Sequence, residues 1–270
     1  MKPIRTTRDS TRRKIFSRLE DLFKQGEYEE VEATARALAE GARTGWRKQP
    51  LAEWQARTLA TMAAVAHGRQ AEVLGELETL IAELAPVDAE MHVLRLVARR
   101  NRAVVLAGQG RNADAESEAL AVLGDIARLA HLLPLTGLEV SALEVLVGAL
   151  CGQGRFEEAE ATARGNLPRA ADAAATALRA TLVRSLNGQG KYEEALAESR
   201  GFAPPLARKD SGRTDLVTAE ALLGLGRREE AEAGVRRALS DCERRLHPAH
   251  PRFGEARALL ARITGERPGP

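Results

Sequence analysis

With 270 residues, the chain is long enough for a sizeable core, either as two globular domains or as one elongated array. Apolar residues make up 44% of it and aromatics only 3%. This excludes wholesale disorder and calls for a core of Ala, Leu and Val, a mixture that suits closely packed helices better than sheets. The net charge is +2, yet residues 1–20 carry seven basic side chains against two acidic ones, which leaves the remainder mildly acidic at −3.

The two cysteines, Cys151 and Cys242, are far apart. Cys242 lies five residues before His247, but nothing else nearby completes a ligand set. The pattern is neither a disulfide framework nor a zinc motif. No apolar run approaches the ~18 residues a membrane helix needs. The basic N-terminus has no apolar segment after it, as a secretory signal would. A cytoplasmic chain is the expectation.

In chain order, the sequence is a set of repeats marked by turn glycines at Gly26, Gly68, Gly110, Gly154, Gly190 and Gly226, with spacings of 42, 42, 44, 36 and 36. The clearest copies read Gly152-Gln153-Gly154-Arg155-Phe156-Glu157-Glu158-Ala159 and Gly188-Gln189-Gly190-Lys191-Tyr192-Glu193-Glu194-Ala195. Prolines alternate with the glycines at Pro50, Pro86, Pro134, Pro168, Pro204/Pro205 and Pro248/Pro251. Proline is tolerated at a helix start and excluded from its interior, so these positions are expected to open helices. Each module then reads as helix A, glycine turn, helix B and a proline joint.

Helix A of module one is expected to start at Asp9 or Ser10, either of which can cap it, with Ile15, Phe16, Leu19, Leu22 and Phe23 as its apolar stripe. Module two spans Leu51 to about Leu84, and module three has a basic helix A carrying Arg95, Arg99, Arg100 and Arg102. Modules four and five are shortened mainly in helix B. The stretch 204–213, with two prolines and Ser211-Gly212, is the expected flexible loop. A last amphipathic helix at about 253–263 closes the array, and 267–270 should fray.

Glycine, an aromatic two residues on and alanine five residues on, as in Gly154/Phe156/Ala159 and Gly190/Tyr192/Ala195, is similar to the turn signature of tetratricopeptide (TPR) repeats. The long period and the ending Ala238-Leu239 … Leu246-His247-Pro248 resemble the longer, kinesin-light-chain-type variant. The resemblance covers residues 15–264. It implies an all-α, right-handed superhelix of six hairpins with a closing helix and a concave groove, occupying 10–264 between a basic arm (1–9) and a tail (265–270). Module two lacks the aromatic.

Three features invite other readings. The Gly-x-Gly pairs lack the preceding strand and third glycine of a dinucleotide loop, and acidic residues stand where phosphate would sit. A helix C-cap that uses glycine's left-handed conformation explains them better. The acidic pairs (Glu29-Glu30, Glu157-Glu158, Glu193-Glu194, Glu229-Glu230) recur at the first turn of helix B. There they complement the helix dipole rather than converge for catalysis. The five histidines are scattered, and His247/His250 flank a proline joint. No metal, cofactor or catalytic residue is expected. The basic N-terminal segment lacks the aromatic interleaving of single-strand binders, so nucleic acid is not the expected partner.

In the TPR pattern, positions ten, nine, six and three before the turn glycine face the groove. Carried over, the resemblance implies Arg100, Asn101 and Val104 in module three, Arg184 and Asn187 in module five, and Arg257 in the closing helix. Glu144 and Glu220 fall on the same surface. Arg and Asn there suit the carboxylates and backbone amides of a partner protein or peptide, an acidic one above all. The expected function is a non-enzymatic adaptor or scaffold. The alternative is a regulatory peptide-sensing module or a component of a gene-control complex.

Overall fold

The computed structural model describes residues 4–45, 49–85, 89–203 and 208–265. The Pro86 and Pro204/Pro205 joints and residues 266–270 lie outside them. The described residues are all-α, with no strand among them. In order, the helices are α1 (Ile4–Gln25), α2 (Tyr28–Thr44), α3 (Pro50–His67), α4 (Gln70–Glu83), α5 (Ala89–Gly108), α6 (Asn112–Leu129), α7 (Thr136–Gly152), α8 (Phe156–Asn166), α9 (Asp172–Gly188), α10 (Tyr192–Ser199), α11 (Arg213–Gly224), α12 (Arg228–Arg245) and α13 (Pro251–Thr264). The helices B of modules four and five, α8 and α10, are indeed the short ones, at 11 and 8 residues.

Every turn glycine adopts positive φ, from +74° to +105°. This is the left-handed conformation that closes a helix without a Cβ penalty. At Gly154 the amide of Arg155 donates to Leu150 O (3.0 Å) and that of Gly154 to Cys151 O (3.1 Å), which satisfies the last carbonyls of α7. Five residues after each turn glycine stand Val31, Val73, Ala115, Ala159, Ala195 and Ala231, all at most 1% exposed. The first buried seat of helix B after the turn is thus an alanine or valine in every hairpin.

The first glycine of each Gly-x-Gly pair has a different role. A Cβ on Gly188 would run into the ring of Phe156, one on Gly224 into the ring of Tyr192, and one on Gly152 into the amide of Asn112. The residue two positions after one turn glycine is thus seated on the bare Cα of the next hairpin. Spacing alone cannot show this contact between repeats.

Extensive helix packing runs only between helices adjacent or next-but-one in chain order. The odd-numbered helices from α3 to α13 pack successively on one another, whereas the even-numbered ones do not. The core is correspondingly a chain of clusters passed from hairpin to hairpin, as expected when no hairpin can bury its apolar face alone.

Three expectations need correction. Helix α1 begins at Ile4, before Asp9 and Ser10. Pro50 and Pro251 do open helices, but Pro168 sits in a 3-10 turn (Leu167–Arg169) that extends the end of α8, and α9 starts only at Asp172. The described part of the 204–213 stretch is not a free excursion. Arg208–Asp210 forms a 3-10 turn, and Ser211 behind it is fully buried.

Candidate functional site

A cavity of about 460 Å³ lies against the odd-numbered helices, within the range of small-ligand pockets. Its walls come from α1, α3, α5, α7 and α9, the first residues of α4 and α6 (Gln70 and Asn112), the Lys209–Arg213 stretch and the start of α13. Five basic side chains line it: Arg100, Arg184, Lys209, Arg213 and Arg252. Three carboxylates do so too: Glu144, Asp210 and Glu255. The balance is an excess of two positive charges.

The basic helix α5 distributes its arginines by face. Arg99 donates to Glu118 and Asp125 of α6 (2.7 Å each), and Arg102 also binds Glu118. Arg100 points to the cavity instead. Among the described residues its guanidinium has no carboxylate partner. Its Nη1 donates to Asn101 Oδ1 (3.2 Å), while its Nε has no acceptor. Burial disfavours its charge and lowers its pKa, although Glu144 opposes this. Asn101 is 1% exposed, and its Nδ2 also lacks an acceptor. Buried donors without partners cost free energy, so an acceptor placed against them would be stabilised.

The neighbouring charges are better matched. Arg213 holds Glu144 at 2.6 Å and Asp210 at 3.3 Å. Burial by itself raises the Glu144 carboxyl, but Arg213, Lys209 and Arg100 outweigh it and bring it down to about 2. Arg252 donates to the carbonyls of Lys209 and Ser211, both at 2.8 Å, and burial lowers its pKa. Among the described residues Arg184 pairs only with Glu255, at 3.9 Å. His250 caps α13 by accepting from Arg252 N at 3.1 Å. Burial, with Arg252, Arg213 and His67 nearby, pushes its pKa down to about 3, so it is neutral.

The sequence-derived candidates thus divide. Arg100, Asn101, Val104 and Arg184 line one cavity together. Asn187 does not line it; it is buried and donates to Val217 O at 2.8 Å, tying α9 to α11. Arg257 lies on the outside of α13 over the ring of Phe253, at 5.7 Å. Arg252, one turn and a half earlier, occupies the cavity instead. Glu220 pairs with Arg262 at 3.5 Å and lies off the cavity wall. Motif reading missed Arg213, Arg252 and Lys209, because they belong to a loop and a helix start outside the repeat register.

No group of metal-ligating side chains converges among the described residues, and no helix there is long and apolar enough to cross a membrane. Comparison with known protein families finds no matching family, and comparison with characterised proteins finds no match either.

Proposed function

We propose that this chain is a non-enzymatic, TPR-type binding module that takes a short peptide or the end of a partner protein into its cavity, anchored by a carboxylate. One observation carries the reading: Arg100 and Asn101 line the cavity together, and each has a buried N–H group, Nε and Nδ2, without an acceptor. A guanidinium carries only donors, and with Asn101 Oδ1 engaged by Arg100 the amide has its NH2 left to give, which suits the two oxygens of a carboxylate. The other polar groups suit holding rather than chemistry. The carboxylates are near cations, and the one cavity imidazole, His250, already accepts a backbone N–H.

The modest volume, about 460 Å³, suits a short ligand or a chain end rather than a long segment.

Fluorescence polarisation against a set of short peptides, each made with a free C-terminal carboxylate and as its amide, tests the proposal. The free acids should bind more tightly, and Arg100→Gln should weaken them about tenfold or more, the usual scale for a lost charge-assisted pair. Arg257→Ala should leave the affinity unchanged. Equal binding of acids and amides, or loss of binding in Arg257→Ala alone, would refute the assignment.

A further inference from the structure

The cavity is charged on one side only. Its charged residues come from α5, α7, α9, α13 and the Lys209–Arg213 stretch, whereas α1 and α3 give it only Phe23, Met62, Val65 and Ala66. Helix α5 changes character along its own length. Arg100 and Asn101 are followed one turn later by Val104, and then by Ala107. At 1.5 Å of rise per residue, Val104 stands ~5–6 Å along the helix from the two donors, about the reach of a leucine, methionine or phenylalanine side chain.

Gly148 of α7 is level with Val104. The two stand six positions before the turn glycines Gly154 and Gly110. The ends of α5 and α7 are level as well, since a Cβ on Gly152 would strike Asn112, just beyond the turn that follows α5. Between Val140 and Cys151 the half-buried positions of α7 are Ser141, Glu144 and Gly148, and all three line the cavity. A Cβ on Gly148 would meet nothing within 4 Å, and its φ is not positive. Neither packing nor backbone conformation demands this glycine, and in a helix interior it is less favourable than alanine. What it provides is room beside Val104. The equivalent position on α9 is Arg184, whose guanidinium is paired with Glu255. The room adjoins a buried polar group that lacks a partner: Asn101 is 1% exposed, lines the same cavity and has no acceptor for its Nδ2.

We propose that the uncharged side of the cavity is a specificity seat for the side chain of the ligand's C-terminal residue, and that this residue is large and apolar, such as leucine or phenylalanine. With the terminal carboxylate at Arg100 and Asn101, the side chain on the same Cα reaches the level of Val104 and Gly148 and lies toward Met62. A glutamate side chain gains less, because its carboxylate would face apolar groups there. The inference rests on the carboxylate reading above for the head group and adds the chemistry of the residue that bears it.

Isothermal titration calorimetry on the full chain tests the seat, with N-acetyl-Gly-Gly-X tripeptides (X = Ala, Leu, Phe or Glu), each as the free acid and as the amide. The Leu and Phe acids should bind about tenfold more tightly than the Ala acid, the scale of burying one large apolar side chain. The Glu acid should bind no more tightly than the Ala acid. In Gly148→Met, whose side chain fills the seat, the preference for Leu and Phe should disappear while the Ala acid keeps its affinity. Without ligand, Gly148→Ala should raise the urea midpoint. A lowered midpoint would mean that the fold itself needs the glycine and would overturn the seat. So would equal binding of all the acids, or a preference that survives Gly148→Met. The two readings fail separately. An apolar preference shared by acids and amides would remove the carboxylate anchor and keep the seat. A preference for acids whatever the residue X would remove the seat and keep the anchor. Absence of binding by every peptide would refute both.

Discussion

Replacing Gly188 by alanine sets two effects of opposite sign against each other. Gly188 is the last residue of α9 and does not need positive φ, so local helix propensity favours alanine by up to ~1 kcal/mol. Its Cα, however, is the seat of the Phe156 ring, and the new Cβ would overlap three ring carbons. Phe156 packs on the cluster that includes Leu186 and Ala195, so the ring must swing away and lose part of that contact. Overpacking of this kind costs ~1–3 kcal/mol. The net expectation is a destabilisation of about 1–2 kcal/mol, read as a lower urea midpoint at unchanged slope. With Phe156→Ala already in place the obstacle is gone, and Gly188→Ala should become neutral or stabilising, giving a coupling of about 2 kcal/mol in the double-mutant cycle. Gly224 with Tyr192 should repeat the result. If Gly188→Ala stabilised the protein carrying Phe156, the seat would have no energetic meaning.

Gly190 provides the contrast. Nothing lies within 4 Å of a Cβ placed there, but its φ is +74°, so Gly190→Ala should cost ~1–2 kcal/mol through the backbone alone. Gly190→Asn should cost less in the same denaturation assay. The pH dependence has a definite sign. His250 is held at about 3 against an ordinary 6.5, so the folded chain binds this proton less well than the unfolded one. The associated stability is complete above neutral pH and falls away as pH drops below ~6.5, by roughly 1.4 kcal/mol at about pH 5.5. His67, depressed chiefly by burial, with Arg208 and His247 adding to this and Glu29 opposing, acts in the same direction. Glu144, at about 2, is still ionised there and contributes nothing in this window. Urea midpoints at about pH 7.5 and 5.5 measure the drop, and His250→Asn, which can still accept from Arg252 N, should reduce it.

Much of the architecture was legible because its causes are local. A left-handed glycine ends a helix wherever it stands, so the six turn positions and the short helices α8 and α10 could be read directly. The small residue five places on marks the buried seam for the same reason. The recurring basic residue just before helix B was an unused signal. Arg69, Arg111, Arg155 and Arg227 each pair with the carboxylate three residues later, at Glu72, Asp114, Glu158 and Glu230.

The site was only half legible. The positions implied by the TPR resemblance included Arg100, Asn101, Val104 and Arg184, which do line one cavity. The same pattern misplaced Asn187 and Arg257, whose surroundings depend on how the next helix lies across them.

The sequence by itself therefore determined the helices, their turns and the small-residue seams, all set by backbone preference and apolar period within some 40 residues. Tertiary structure alone decided that Glu29 meets Arg208 across 179 positions, that a joint becomes a cavity wall, and that Arg100 is left without a carboxylate while Arg99 has two. The physical reason is accumulation. Each hairpin packs on its neighbour, and only the whole succession of such contacts fixes which distant surfaces touch.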